Sequence, residues 1–461
     1  MKSFIILNTN IFKDYKLLKS FDKIYLIEDP YYINKNSHKQ KLVIYISSLR
    51  YHYNYLSRKL KDVKIEYIPF NDYTKVEKIF KQSTEVHLYD PIDKSLIKNY
   101  SSKKTTFHYS PLFLETNDDL LDYKNNFTKS TSYNHASFYK WNRIRLNILM
   151  DGENPIGGRW NYDTENRKKF PKDYEEKQIK TYNNKYIKQA KEYVEKHFSK
   201  NFGLIDNIYN PVTHLDAQKH FQSFIDNKLN DFGDFEDAMS SGVIYGEHSN
   251  ISILLNIGLL DVKYIISKTL SYYYNSKDKK KILPSVEGFI RQIIGWRSYM
   301  HFVYYFHKDD LQKGNYFGFN KKLPNSWYTG KTNLPILDKL IVKLEKYAYL
   351  HHIERLMIIG NLSILLEIHP KYVYKWFINC FIDSNSEWVM FGNTYGMLGH
   401  CQPNIKIMGR FYICSENYIK KMSNYKNDDL IGINDLYRNF LKKYKNKLKS
   451  DYSLGSQLAR I

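Results

Sequence analysis

Two adjacent histidines, His351 and His352, lie inside the otherwise apolar stretch YAYLHHIERLMIIGNLSILLE at residues 347–367. Imidazole is the side chain whose ordinary proton affinity lies nearest neutral pH, so such a pair can pass protons to a substrate. The stretch reads as one long helix that stops just before Pro370. His351 and Arg355 are one turn apart and share a face, with Glu354 beside them. His352 points about 100° away around the helix, so one histidine can face a cavity while the other anchors. Burying two imidazoles, a carboxylate and a guanidinium is costly unless each finds a partner. The alternatives are a site, or a satisfied polar cluster in a helical core. Zinc binding is excluded by the spacing: HHIE is not HExxH, and no third ligand is suggested.

Other polar residues interrupt apolar helical runs in a similar way. In HSNISILLNIGLL (248–260), Ser249 and Ser252 stand three apart near a helix start. Their hydroxyls, with helix N-terminal amides, suit a pyrophosphate, or they are ordinary caps. In EGFIRQIIGWR (287–297), Glu287, Arg291 and Gln292 mark one end and Trp296 with Arg297 the other.

The elements that must carry these residues fall into three stretches. Residues 1–120 alternate strand-like runs (FIILNT, KIYLIED, VKIEYIPF, EVHLYDP) with helical ones, of which residues 39–61 are the clearest. That alternation predicts βαβ units and a mostly parallel, Rossmann-like sheet. Residues 121–205 are polar, with Pro155, Gly157, Gly158 and Pro171 as breakers, and read as a connector with helix near 136–150 and 177–198. From 206 to 461 the apolar periodicity is helical almost throughout, including 251–270, 286–305, 334–367 and 372–381. This predicts an all-α domain large enough to enclose a cofactor.

The chain has 461 residues, 43% of them hydrophobic and 16% aromatic, which is a globular composition. Its formal net charge of +22 and pI near 9.4 favour polyanionic partners, nucleic acid first, although part of the lysine excess looks like an AT-rich coding bias. No apolar run is long enough for a membrane span, and the N-terminus is too short in its apolar part for a secretory signal. The three cysteines, Cys380, Cys401 and Cys414, form no CxxC pair. They fit a reducing intracellular compartment: cytoplasm, nucleus or a viral factory.

Six blocks occur in order: GGRWNYDTENRKKFP (157–171), FGDFEDAM (232–239), HSNISILLNIGLL, EGFIRQIIGWR, HHIERLMIIGN (351–361) and YIKKMS (418–423), with HKQKL (38–42) ahead of them. In this the chain resembles the deoxyribodipyrimidine photolyase-related family, the bacterial-type 6-4 photolyases and cryptochromes of the iron–sulfur branch. The resemblance implies an α/β antenna domain, a connector and a helical domain holding folded FAD. It implies light-driven repair of UV-damaged DNA, with the lesion flipped out of the duplex. It places His248, Ser249, Ser252, Asn256, Glu287, Arg291, Gln292, Trp296, Arg297, Arg355, Asn361, Asp383 and Asn393 around the flavin. Arg297 is expected to pair with Asp383, and Asn393 to stand beside flavin N5. His352 is carried over as the proton donor to the lesion, with His351, Tyr412 and Tyr418 in the same pocket. Trp376, Trp327 and Trp388 are candidates for photoreduction. Glu28, at a strand end where α/β ligands gather, would touch a ribityllumazine antenna, or is a solvated loop acid.

The chain departs from the family at the cluster. Where the family has CxxC after its YIxKMS block, this sequence has Lys426-Asn427-Asp428-Asp429, and residues 334–337 hold no cysteine. Three cysteines in other places cannot supply four thiolates, so no iron–sulfur cluster is expected. Ser298 replaces an acid after GWR, and LGHCQPN (398–404) replaces a Gly/Asp-rich turn. The expected activity is a monomeric photolyase for 6-4 lesions. The alternatives are a cyclobutane-dimer photolyase, a blue-light receptor without repair, and a nucleic-acid-binding protein that has lost its flavin.

Overall fold

The structure is a computed structural model and describes residues 1–127, 134–164, 168–384, 386–398, 411–449 and 454–459. The turn LGHCQPN beyond Leu398, and Cys401 within it, lie outside the described residues.

Five parallel strands form one sheet in the order β3-β2-β1-β4-β5: β1 Lys2–Ile6, β2 Lys23–Ile27, β3 Lys64–Ile68, β4 Glu85–Tyr89 and β5 Thr105–His108. The central strands β1 and β2 are buried along nearly their whole length, which is why KSFII and KIYLI read as continuous apolar runs. The edge strand β5 (TTFH) was not expected; its polar residues carry no apolar run, and only pairing with β4 makes it a strand. Between β2 and β3 runs helix α1, Lys39–Lys59, capped at its start by His38. It packs against the helix Lys185–Phe198, which begins later than the sequence suggested because Asn184 supplies the cap.

The connector holds the helix His135–Leu146 and a two-residue antiparallel pair, Met150–Asp151 with Asn154–Pro155. From there on the described chain is helical. Three of its helices contain a π-helical segment: Arg291–Arg297, Glu354–Gly360 and Gly392–Met397. π turns are rare and cluster at functional sites. Glycines allow the tight packing here: a Cβ on Gly360 would meet Leu398 at 2.4 Å, and one on Gly392 would meet the Met300 sulfur at 2.5 Å.

The expectation of one helix over 347–367, within a helical run from 334, is corrected. The helix Pro335–Tyr347 ends at Ala348, which adopts a left-handed conformation (φ 52°), and a new helix starts at His352. The histidine pair therefore sits at a helix beginning, not mid-helix. Likewise residues 251–270 split into Ser252–Asn256 and Val262–Asn275, whereas the chain from Lys279 to Lys313 is continuous through its π segment.

Candidate functional site

All three π segments face one cavity of about 1020 Å³. That is the upper end of the ~300–1,000 Å³ usual for ligand pockets. One wall is the 249–256 loop and helix turn, the second the Arg291–Arg297 segment, and the third the beginning of the histidine helix. Asp383, Trp388, Asn393, Tyr412, Tyr418 and Lys421 complete the lining.

Arg355 is the electrostatic centre. Its Nη1 donates to both oxygens of Asp383, at 2.9 and 3.0 Å, and its Nε to the Leu350 carbonyl at 2.7 Å. The guanidinium also lies over the rings of Phe381 and Tyr349. The expected Arg297–Asp383 pair does not form. Arg297 is held between Phe113 (4.4 Å) and Trp388 (4.8 Å), with Nη1 donating to the Leu112 carbonyl and Nη2 to Asn256. Burial lowers its pKa to about 10, so it keeps its charge at neutral pH. Asn393 is fixed at both ends of its amide: Trp296 Nε1 donates to its Oδ1 at 3.1 Å, and its Nδ2 donates to the Val389 carbonyl at 2.6 Å. That leaves one amide N–H to point elsewhere.

His352 lines the cavity and is the exposed member of the pair. Burial first, then His248 and Arg355, lower its pKa to about 4. His351 is turned away and buried. Its Nδ1 accepts from the Ile353 amide, and its ring stacks on His248. His248 donates from Nε2 to the Glu236 carbonyl (2.8 Å) and accepts at Nδ1 from Tyr349 (3.0 Å). Behind them the buried Glu354 carboxylate receives Lys343, Tyr425 and the His351 amide. The site thus offers neutral imidazoles and guanidiniums fixed by their partners, Arg355 by Asp383 and Arg291 by Asp163, Glu236 and Glu287.

Residues 4–209 match the family described as deoxyribodipyrimidine photo-lyase-related protein. A (6-4) photolyase of Agrobacterium fabrum is 36% identical over 334 residues, covering 70% of this chain and 65% of the relative. The chain is thus similar to the deoxyribodipyrimidine photolyase-related family over residues 4–209 and to this photolyase over 70% of its own length. Its match spans somewhat under two-thirds of that relative's length. Two uncharacterized proteins of Acanthamoeba polyphaga mimivirus match shorter stretches, 36% over 114 residues and 31% over 168 residues, each covering 85% of the relative and 25% and 33% of this chain. A bacterial class III photolyase from Agrobacterium tumefaciens superposes with a TM-score of 0.57, and a Synechocystis cryptochrome with 0.55. Both superpositions cover 98% of this chain and 88% of the other at 14% identity, so they show the photolyase/cryptochrome fold.

Within this photolyase-family fold the cavity gathers His248, Ser249, Ser252, Asn256, Arg291, Gln292, Trp296, Arg297, Arg355, Asp383, Asn393, Trp388, His352, Tyr412 and Tyr418. It does not gather Glu287, whose carboxylate accepts the Tyr162 amide and faces Arg291, or Asn361, which is bonded to the backbone of Cys414. Trp376 and Trp327 stand one layer back, edge to face at 5.3 Å, behind the cavity residue Phe377. The turn Ser252–Asn256 has five residues, too short for a strong dipole, so any pyrophosphate there depends on the hydroxyls and on the loop that Asn250 (φ 51°) bends. Glu28 is fully buried at the end of β2, accepting from Tyr67 and from the Phe70 amide. It is therefore an internal acid, not a solvated one.

Sequence reasoning missed Tyr349, Asp163, Glu236, His135 and Lys421, all on the cavity wall. Four of them sit inside the quoted family blocks or the histidine run, so the signal was present but not resolved to residues. His135 gave none, being a lone histidine at the start of a connector helix. Among the described residues no helix is long and apolar enough to cross a membrane.

Proposed function

We propose that this chain is an FAD-dependent, light-driven DNA repair enzyme acting on 6-4 photoproducts. The observation that carries the proposal is His352, the one member of the histidine pair that opens onto the cavity, beside the Arg355–Asp383 pair and the doubly tethered Asn393. The cavity's size and its donors fit folded FAD. Arg355, Arg297 and Asn393 would hold the flavin, with Ser249 and Ser252 on its phosphates. Reduced FAD, when excited by light, supplies the electron. The chain's own contribution is to exclude water, orient the lesion and hold a proton at the His352 ring. A 6-4 lesion carries a transferred hydroxyl or amino group, so its reversal needs a proton moved as well as an electron. With its pKa near 4 the free His352 is neutral. A phosphate-bearing lesion beside it brings negative charge, which favours the imidazolium.

Cluster-free cofactor content is part of the proposal. Around residues 334–337 and 426–429, where the family resemblance puts cysteines, the chain has instead a Lys339–Asp429 ion pair and an apolar cluster that includes Leu334, Leu337, Leu430 and Ile433. Gly432 (φ 86°) lets that packing close against Leu334.

The likeness to a cryptochrome supports a second reading, a blue-light receptor of the same fold without repair. One experiment separates the two: lesion reversal under blue light with pre-reduced protein, read by chromatography of digested DNA. The repair reading expects 6-4 reversal, and expects His352→Ala to bind FAD and lesion yet lose about 10²-fold in rate. Reversal of cyclobutane dimers alone would reassign the substrate. Wild-type protein that reverses neither lesion would leave the receptor.

A further inference from the structure

The first turn of α1 leaves the α/β domain and plugs the ends of two helices in the helical domain. His38 accepts at Nδ1 from the Gln40 amide, which puts its ring proton on Nε2, facing the carbonyls of Leu344 and Glu345 at 3.2 and 3.1 Å. Gln40 Nε2 donates to the Lys346 carbonyl at 2.5 Å. Lys41 Nζ donates to the carbonyls of Ile378 (2.6 Å) and Ser384 (2.8 Å). Gly203 (φ 105°) makes room, since a Cβ there would stand 2.1 Å from the His38 ring.

Most of these acceptors lie at the C-terminal ends of the helices Pro335–Tyr347 and Pro370–Cys380. Carbonyls at a helix C-terminus are short of partners within the helix and favour a positive neighbour; here Leu344 also accepts from the Ala348 amide and Glu345 from the Leu204 amide. The chain leaving the first helix becomes Tyr349, His352 and Arg355, and the chain leaving the second becomes Phe381 and Asp383. The two are tied by the Ile382 amide donating to the Ala348 carbonyl at 2.9 Å and by the Arg355–Asp383 pair.

We propose that Lys41, 2% exposed and far from the cavity in sequence, is a positioning residue for the flavin site, holding the Ser384 carbonyl and through it the Asp383 carboxylate against Arg355. This rests on the FAD reading above. It makes the α/β domain a structural part of the site, whether or not that domain carries a chromophore.

The test measures FAD dissociation constants for wild type, Lys41→Met, Asp383→Asn and the double variant, with Lys39→Met as the control; Lys39 faces Glu195 on a different helix. Hydrogen exchange at the Ile382 amide is measured in flavin-free protein. Lys41→Met should weaken FAD by about tenfold or more. The double variant should add little to Asp383→Asn, because both act on one carboxylate. Ile382 should exchange faster while Lys39→Met changes neither readout. Should Lys41→Met fold poorly, Lys41→Gln, which is shorter and uncharged but keeps an N–H donor group, gives the same comparison. Unchanged Ile382 exchange, or FAD losses that multiply in the double variant, would overturn the assignment. Wild-type protein that binds no FAD brings down the functional reading, and the exchange arm still decides whether Lys41 holds this loop.

Discussion

His248 and His351 lie face to face, their ring centroids 4.1 Å apart and their planes 26° from parallel. Two imidazolium ions cannot share that contact in a buried setting. Burial lowers His248 to about 4, and burial with the His248 ring pushes His351 well below its ordinary 6.5. The stack therefore holds two neutral rings.

A pH dependence of stability follows, with a definite sign. The unfolded chain binds protons at these histidines near pH 6.5, and the folded chain refuses them until lower pH, about 4 for His248. Stability is complete above 6.5 and falls as pH drops toward 4, by at most about 1.4 kcal/mol per pH unit for each histidine. Melting temperature should decline steeply from pH 6.5 to 4.5, and His351→Phe, which keeps a stacked ring without the titrating group, should flatten that decline. A wild type equally stable at pH 5 and pH 7 would contradict this account.

The Lys343–Glu354 pair predicts an asymmetric mutational response. Both oxygens of the fully buried Glu354 are 2.9 Å from the Lys343 amine. Lys343→Met leaves a buried carboxylate short of its counter-charge and should cost about 3–5 kcal/mol in urea unfolding. Adding Glu354→Gln should recover a large part of that loss. If the single variant is as stable as wild type, the pair carries no weight in the core.

Cofactor content gives a third prediction. Anaerobically purified protein should contain flavin and yield blank iron and acid-labile sulfide assays. Stoichiometric iron would show that other ligands hold a cluster.

Duplex DNA binding should weaken steeply with salt, with a log–log slope of about −0.9 for each phosphate neutralised. The charge of +22 and the lysines near the cavity, Lys421 on its wall and Lys169 bonded to the backbone of Lys420, motivate this. A slope near zero between low and physiological salt would remove DNA as the partner.

Much of the site was legible because its residues are polar letters inside apolar helical runs, and polarity there needs a reason. Pairings across the chain were not legible. Nothing in the spacing of Arg297 or Arg355 says which one meets Asp383; the π turn and the Ala348 break decide that. Ala348 itself gives no warning, because alanine is a strong helix former and here its left-handed turn is imposed by tertiary contacts, where a glycine would have been noticed. The sheet's central strands showed through their apolar runs, and β5 did not, because an edge strand can stay polar. HKQKL was visible as a family block, but that it reaches across to two helix ends is a property of the folded chain alone.

The three π segments have a consequence for how this cavity arose. A π turn is an α-helix carrying one additional residue, and each residue of an α-helix advances the side chains by about 100°. Removing a single residue from any of the three would restore an ordinary helix and swing one wall's functional groups out of the cavity, while leaving the helix ends nearly where they were. A relative with a single-residue gap at 291–297, 354–360 or 392–397 would therefore be expected to present a differently lined pocket.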